Sequence, residues 1–339
     1  MSGSPVAVDA MGGDHAPDVV VQGAQLAADR DGIPILLVGD PDRLGDVGDL
    51  DVLPASEVVA MDADPAVSVR RLKDSSIVRA AEAVRDGRAS SLLSAGNTGA
   101  AMAASLLRLG RIKGVSRPAI AVPFPVLDST PTTLLDCGAN PDCQPEWLVQ
   151  FARMGTAYAR QRFNLERPRV AILTIGEEAG KGNSMVKTAC QLLEQPEWAE
   201  QCNAEYVGNV EGGDLMAGVA DVIVCDGFTG NVTLKSLEGL YDIFRESIEG
   251  AVDRAGVSMG NGAAPKSFLA ALDAEIAPIF HHFNAKATGA AMLLGTRGVS
   301  LISHGSSSAD TIANAIRTAD EMASVNVLAK IREAVEVGG

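Results

Sequence analysis

Residues 5–40 read PVAVDAMGGDHAPDVVVQGAQLAADRDGIPILLVGD. The apolar run Val6–Ala10 stops at the polar, glycine-rich Met11–His15, and a helical pattern follows over Pro17–Arg30. A second apolar run, Ile33–Gly39, then begins. Strands that are apolar at every position are buried on both faces, so this strand–loop–helix–strand unit predicts a parallel sheet covered by helices on each side. The alternation continues. Strands are expected at Ser91–Ala95, Ala119–Phe124, Thr133–Cys137, Val170–Ile175, Val222–Asp226 and Val299–Ser303. Helices are expected at Ile77–Asp86, Thr98–Leu109, Pro145–Arg162, Ser184–Leu193, Gly230–Ala255 and Ser308–Val337. The fold class is α/β with a mostly parallel, doubly covered sheet, in one domain over residues 1–339 that can divide into two lobes. Residues 257–283 stand apart as a helical excursion. Phe268, Leu269, Leu272, Ile276, Ile279, Phe280 and Phe283 recur there at helical spacing, an apolar face for the core, a dimer partner, an acyl chain or a bilayer surface.

Composition narrows the function. A net charge of −15 argues against a general nucleic-acid binder and disfavours broad electrostatic attachment to anionic lipid. Against that background, the 41 residues between Asp86 and Asp128 hold no carboxylate but carry Arg88, Arg108, Arg111, Lys113 and Arg117. The five cysteines are odd in number and make no C-x-x-C pair, which fits buried thiols in a reducing compartment. The chain opens with no signal peptide, and no apolar run reaches the roughly 20 residues of a membrane helix, so the expected location is cytoplasmic.

In open α/β sheets ligands gather beyond the carboxyl ends of strands. Six such ends carry glycine and small polar residues: Asp9–His15, Ser94–Gly99, Leu135–Asn140, Gly176–Asn183, Asp226–Asn231 and Ser303–Ser308. Unpaired amides at helix starts suit an anion such as phosphate, although each loop alone is ordinary turn chemistry. There is no G-x-G-x-x-G, P-loop, G-x-S-x-G or H-E-x-x-H motif, and only four histidines, so neither a cofactor nor a metal is expected.

At these loops the sequence resembles the bacterial phosphate acyltransferases of phospholipid synthesis, the acyl-acyl-carrier-protein:phosphate acyltransferase family. The resemblance is carried by Asp9–Pro17, Arg71–Ser76, Ser94–Ala100, Arg117-Pro118, Leu135–Asn140, Ile175–Glu178 with Lys181–Asn183, Cys225–Asn231 and Leu301–Ser307. It implies a fold like that of isocitrate and isopropylmalate dehydrogenases and phosphotransacetylases. It also implies a homodimer, a long-chain acyl-carrier-protein substrate, peripheral membrane contact, and a glycerol-3-phosphate acyltransferase downstream. One departure is the stretch Ala287–Met292, where the family's Tyr-Gly-Gly-Ala-Pro pattern lacks its Tyr and Pro.

Attack of phosphate on a thioester needs a held nucleophile and donors for the oxyanion. Lys181, His304 and Asn231 are the candidate catalytic residues. Asp9, Gly12, Gly13, Asp14, Lys73, Ser94, Asn97, Thr98, Gly176, Glu177, Gly182, Asn183 and Ser306 are the candidate cradle for phosphate and thioester. Turn-stabilising roles stay open for Asp9 and Asp14, contact with a carrier's phosphopantetheine for Lys73 and Lys181, and a structural role for His304. Arg108, Arg111, Lys113 and Arg117 are the candidate docking patch for an acidic carrier protein, or solvated helix ends. Two other readings are a decarboxylating 2-hydroxyacid dehydrogenase on the implied fold, and a scaffold that acts through residues 257–283.

Overall fold

In a computed structural model that describes residues 3–258 and 290–336, the first apolar runs form β1 (Val6–Asp9) and β2 (Ile35–Gly39), joined by α1 (Asp18–Asp31). There follow β3 (Asp51–Pro54), α2 (Pro65–Arg71), α3 (Ser76–Arg85), β4 (Ser91–Ser94) and α4 (Thr98–Ala104), which ends in a π turn over Ser105–Leu109. The middle of the chain supplies β5 (Ala119–Phe124), β6 (Thr132–Leu135), α5 (Pro145–Phe163) and β7 (Arg169–Leu173). Next come α6 (Ser184–Leu193), α7 (Pro196–Cys202), β8 (Glu205–Val210), β9 (Val222–Val224) and α8 (Gly227–Ser258). After residue 290 lie β10 (Ala291–Leu294), β11 (Val299–Ile302), α9 (Ala309–Ser324) and α10 (Val327–Glu336).

Among the described residues the strands form one 11-stranded sheet of order β3-β2-β1-β4-β11-β10-β5-β6-β9-β7-β8. Seven of its ten neighbouring pairs are parallel, as expected of continuously apolar strands. The three antiparallel pairs, β11 with β10, β10 with β5, and β5 with β6, are consecutive in the sheet. Their effect is a reversal: β6, β9, β7 and β8 run opposite to β1, β2, β3, β4 and β11.

Alternation within each strand sorts side chains onto two faces. Val6, Val8, Leu37, Leu93, Ala121, Leu135, Ile172 and Leu301 enter one continuous core, covered by α1, α5, α9 and α10. On the other face the core is interrupted. Ala7, Leu36, Leu92 and Ile302 pack under α3 and α4, whereas Ile120, Val122, Leu134, Ile223 and Leu293 pack under the first half of α8. The seam between these two cores is where a cavity can open.

The sequence reading missed β3, β8 and β10. The first and second are edge strands with little burial, and Gly208 and Asn209 interrupt the apolar pattern of the second. The third reads Ala-Met-Leu-Leu, residues that suit a helix at least as well as a strand. The seven-residue α2 and α7, each with Pro in the first turn, are too short to show a helical period. The single helix expected over Ser308–Val337 is two, broken at Asn326, whose φ of 53° is a left-handed value that asparagine tolerates. The helical excursion expected at 257–283 lies, beyond residue 258, outside the described residues. No helix among the described residues is long and apolar enough to cross a membrane.

Candidate functional site

A cavity of about 150 Å³ occupies the seam. Its floor is Ile120, Val122 and Cys137, and one wall is Thr98 after β4 with Ser303, His304 and Ser307 after β11. The facing wall is α8, which presents Asn231, Leu234, Lys235 and Glu238. Spacings of three, four and seven residues put these four on one helical stripe. The His304 Nδ1 lies 2.8 Å from Ser306 Oγ and accepts from the Ser306 N–H at 3.3 Å, so in a neutral ring the proton sits on Nε2, a donor. Ser303 and Ser307 share a hydroxyl–hydroxyl hydrogen bond of 2.9 Å, and both are buried.

Four of the six expected loops, those carrying Thr98, Cys137, Asn231 and His304, contribute to this one cavity. Because the sheet reverses direction, the six leave it as two sets of three. In the first set Asp9, 3% exposed, receives a 2.7 Å hydrogen bond from Ser94 Oγ, which itself accepts from the Gly96 N–H at 3.1 Å. Gly12 lies against Gly96 so closely that a Cβ on Gly12 would stand 2.8 Å from the Gly96 nitrogen. Gly13 sits at a φ of 130°, and the Asp14 N–H donates to the Gly305 carbonyl at 2.9 Å. Asn97 caps α4 by accepting from the Ala100 N–H, and its amide donates to the carbonyls of Met61 and Ala63. Thr98 and His304 thus reach the cavity on a scaffold made by Asp9, Gly12, Ser94 and Asn97. Lys73 is exposed between α2 and α3, away from the cavity lining.

Burial raises the Asp9 carboxyl above its ordinary range, against hydrogen bonds from Ser76, Ser94 and the Met11 and Gly12 backbone. The native state therefore holds this proton more tightly than the unfolded chain does. Its contribution to stability is present at acid pH and is lost as pH rises through the raised value. Asp9→Asn removes that titration. The melting temperature of the variant minus that of the wild type should become more positive as pH rises from the ordinary carboxylate range toward neutrality. A difference that stays flat in pH would mean that Asp9 does not titrate from this raised position.

The second set is built around Asp136, which is fully buried. Its Oδ1 accepts from the backbone of Ile120 (2.9 Å), Gly138 (3.2 Å) and Ala139 (3.0 Å), and its Oδ2 from the Asn140 N–H (2.7 Å) and Nδ2 (2.8 Å). The loop so held seats the start of α8. The Gly227 N–H donates to the Asn140 carbonyl at 2.8 Å, and Gly138 lies against Asn231. Asp226 closes the first turn of α8 by accepting from the Thr229 N–H and hydroxyl, both at 2.8 Å.

Residues 176–183 complete this set but stay outside the cavity lining. Asn183 caps α6 by accepting from the Val186 N–H at 2.9 Å, and Gly182 takes a φ of 91°. Glu177 is exposed, and Gly176 packs against Glu178 and the Lys181 side chain. Lys181 is 48% exposed, with Nζ 3.7 Å from Glu178 Oε2. This loop borders an open groove shared by Asp142, Cys143, Asn183, Met185, Asp226 and Phe228. Phe228 and Asn231 are one turn apart, so the groove and the cavity adjoin across the first turn of α8.

The basic residues also divide. Arg108 turns toward Glu82, 3.6 Å away, and toward the Val69 carbonyl. Arg111 donates to the Ser116 carbonyl, Lys113 is exposed, and Arg117 stacks on Trp147 at 4.9 Å. The last three share one loop, which adjoins Asn140 through its 2.7 Å bond to the Pro118 carbonyl.

All five cysteines are free thiols. Burial pushes Cys137 and Cys225 well above the ordinary thiol range, and Cys143 to about 12. Nucleophilic thiolates are thereby disfavoured at the cavity floor and in the groove. Four polar residues of the cavity were not singled out from sequence: Lys235, Glu238, Ser303 and Ser307. The available signal was the stripe Asn231–Lys235–Glu238 on a helix that begins at a glycine-rich loop.

Comparison with known proteins adds identity to this geometry. Residues 5–330 match the family model described as "Fatty acid synthesis protein". The phosphate acyltransferase of Pelotomaculum thermopropionicum is 46% identical, covering 98% of this chain and 95% of that protein. The phosphate acyltransferase of Desulforudis audaxviator is 43% identical, covering 96% and 94%. In structure the chain is similar to a phosphotransacetylase from Streptococcus pyogenes (TM-score 0.61, 16% identity, 96% and 95% covered). It is also similar to the EutD phosphotransacetylase from Staphylococcus aureus (TM-score 0.58, 15% identity, 94% of each chain covered). At those identities the structures speak for the fold, and it is the expected one.

Proposed function

This chain belongs to the fatty acid synthesis protein family, and from that premise, with phosphate acyltransferases as its relatives, we propose that it moves a long-chain acyl group from acyl-carrier protein to inorganic phosphate. The observation that carries the reading is the seam cavity, where Thr98, Asn231, Lys235, Ser303, His304 and Ser307 bring hydrogen-bond donors to a space whose one thiol is held protonated. Phosphate is an anion and already nucleophilic, so direct attack requires no enzyme nucleophile. An oxygen of monohydrogen phosphate bonds to the thioester carbonyl carbon, and the tetrahedral oxyanion accepts from Asn231 and His304. The C–S bond then breaks. The phosphate proton passes to the departing sulfur, leaving acyl-phosphate and the free carrier thiol.

The donor approaches from the other side of α8. A carrier protein is acidic, and the loop with Arg111, Lys113 and Arg117 is a basic surface tied to the Asn140 side of the groove through the Pro118 carbonyl. Its prosthetic arm runs along the groove past Lys181 and over Phe228 into the cavity. Lys181 is thereby assigned to the donor rather than to phosphate. Reversing charge at Lys113 and Arg117 together should raise the KM for acyl-carrier protein about tenfold and leave that for acyl-CoA within about twofold. Equal losses with both donors would argue for a structural role of the loop. The enzyme works in the cytoplasm as a homodimer with peripheral membrane contact, and it hands acyl-phosphate to a glycerol-3-phosphate acyltransferase.

The deciding experiment incubates the protein with palmitoyl-carrier protein and labelled phosphate, then traps product with hydroxylamine. Acyl hydroxamate that forms in proportion to added phosphate supports the reading. Acyl-enzyme accumulating without phosphate would overturn direct attack.

A further inference from the structure

We propose that Lys235 is the cation that receives phosphate in the seam cavity, and that Glu238 positions it; this rests on the phosphate-acceptor reading above. Among the described residues that line the cavity, Lys235 is the one lysine or arginine. Phosphate is charged before, during and after the reaction, whereas the thioester carbonyl becomes anionic only in the tetrahedral state. Donors such as Asn231 and His304 can serve the oxyanion, but a permanent anion in a partly enclosed site needs a full and permanent opposite charge. The need is sharper here because the chain's net charge of −15 repels anions at long range.

Glu238 explains why the ammonium stays at the cavity rather than swinging into solvent. Its Oε2 accepts from Lys235 Nζ at 2.8 Å, and its side chain is only 15% exposed, against 53% for Lys235. The carboxylate is thus the anchored partner and the lysine the reaching one. An ammonium has three N–H donors. One is spent on Glu238, and two are left for phosphate oxygens, with Thr98 and Ser307 on the opposite wall. Without Lys235, an arriving phosphate would meet the Glu238 carboxylate alone.

The test measures equilibrium binding of labelled inorganic phosphate together with steady-state kinetics, with thermal melts as the check on folding. K235A should raise both the phosphate dissociation constant and the KM for phosphate about tenfold or more, with the KM for acyl-carrier protein within about twofold. K181A should do the reverse. E238A should raise the phosphate KM about threefold and E238Q should restore it, because the amide oxygen still accepts from Lys235. E238A equal to wild type would remove Glu238 from the positioning role. Equal phosphate affinity in wild type and K235A, including no measurable affinity in either, overturns the assignment whatever the turnover. Phosphate binding that depends on Lys235 in a wild type that makes no acyl-phosphate would instead overturn the acyltransferase mechanism and leave the site standing.

Discussion

Asp136→Ala is expected to destabilise the protein by about 3–5 kcal/mol, a large part of the roughly 5–15 kcal/mol that stabilises an ordinary domain. The carboxylate has no solvent exposure and collects five N–H donors from Ile120, Gly138, Ala139 and Asn140. Alanine would leave all five facing a void, and each buried donor without a partner costs about 1–3 kcal/mol before the loop relaxes. Burial pushes the Asp136 carboxyl above its ordinary range, and the N–H cage pulls it back. Asp136→Asn should cost less, about 2 kcal/mol, because one oxygen remains while the new amide faces two donors. Denaturant unfolding monitored by circular dichroism measures both. A midpoint for D136A within error of wild type would refute the view that this cage holds the loop after β6 against the start of β5 and, through it, the start of α8.

The second large effect is expected at Gly230. A Cβ there would lie well inside van der Waals contact with the Asp136 carbonyl oxygen and 3.0 Å from Cys225 Sγ. Backbone oxygen cannot move aside as the end of a flexible side chain can, so the first turn of α8 must shift. That turn carries Asn231, and the stripe that follows carries Lys235 and Glu238 into the cavity. A displacement of about 1 Å in groups that hold reactants is worth on the order of a hundredfold in rate. Gly230→Ala is therefore expected to lower kcat/KM about a hundredfold, with the melting temperature falling by several degrees rather than the fold being lost. Gly239→Ala, on the same helix with nothing within 4 Å of its Cβ position, is the control and should retain activity. Equal activity in G230A and G239A would show that the seating of α8 on Asp136 does not shape the site.

Much of the architecture was legible from local pattern. Runs such as Ile35–Gly39 and Ala119–Phe124 are apolar throughout, and only a strand buried on both faces uses such a run. The polar glycine-rich segments after them marked the loops from which Thr98, Asn231 and His304 reach the cavity. Other parts left no local signal. Gly12 and Ser94 read along the chain as anion ligands, and only the fold shows Gly12 packed on Gly96 and the Ser94 hydroxyl donating to Asp9. The Lys235–Glu238 pair reads along the chain as a solvated helix pair three residues apart.

By itself, then, the sequence determined a helix-covered α/β sheet, the family, and the kind of chemistry its loops can support. The sheet and the loop chemistry follow from periodicity and residue type, and the family from a resemblance carried by motifs such as Ser94–Ala100 and Cys225–Asn231; all are written in order along the chain. Tertiary structure alone decided which loops meet. Side-chain alternation is the same for a strand running either way, so no period discloses the reversal across β10, β5 and β6. That reversal splits the expected six-loop cradle into two sets and opens the seam between two cores, where α8 brings Asn231, Lys235 and Glu238 opposite Thr98 and His304.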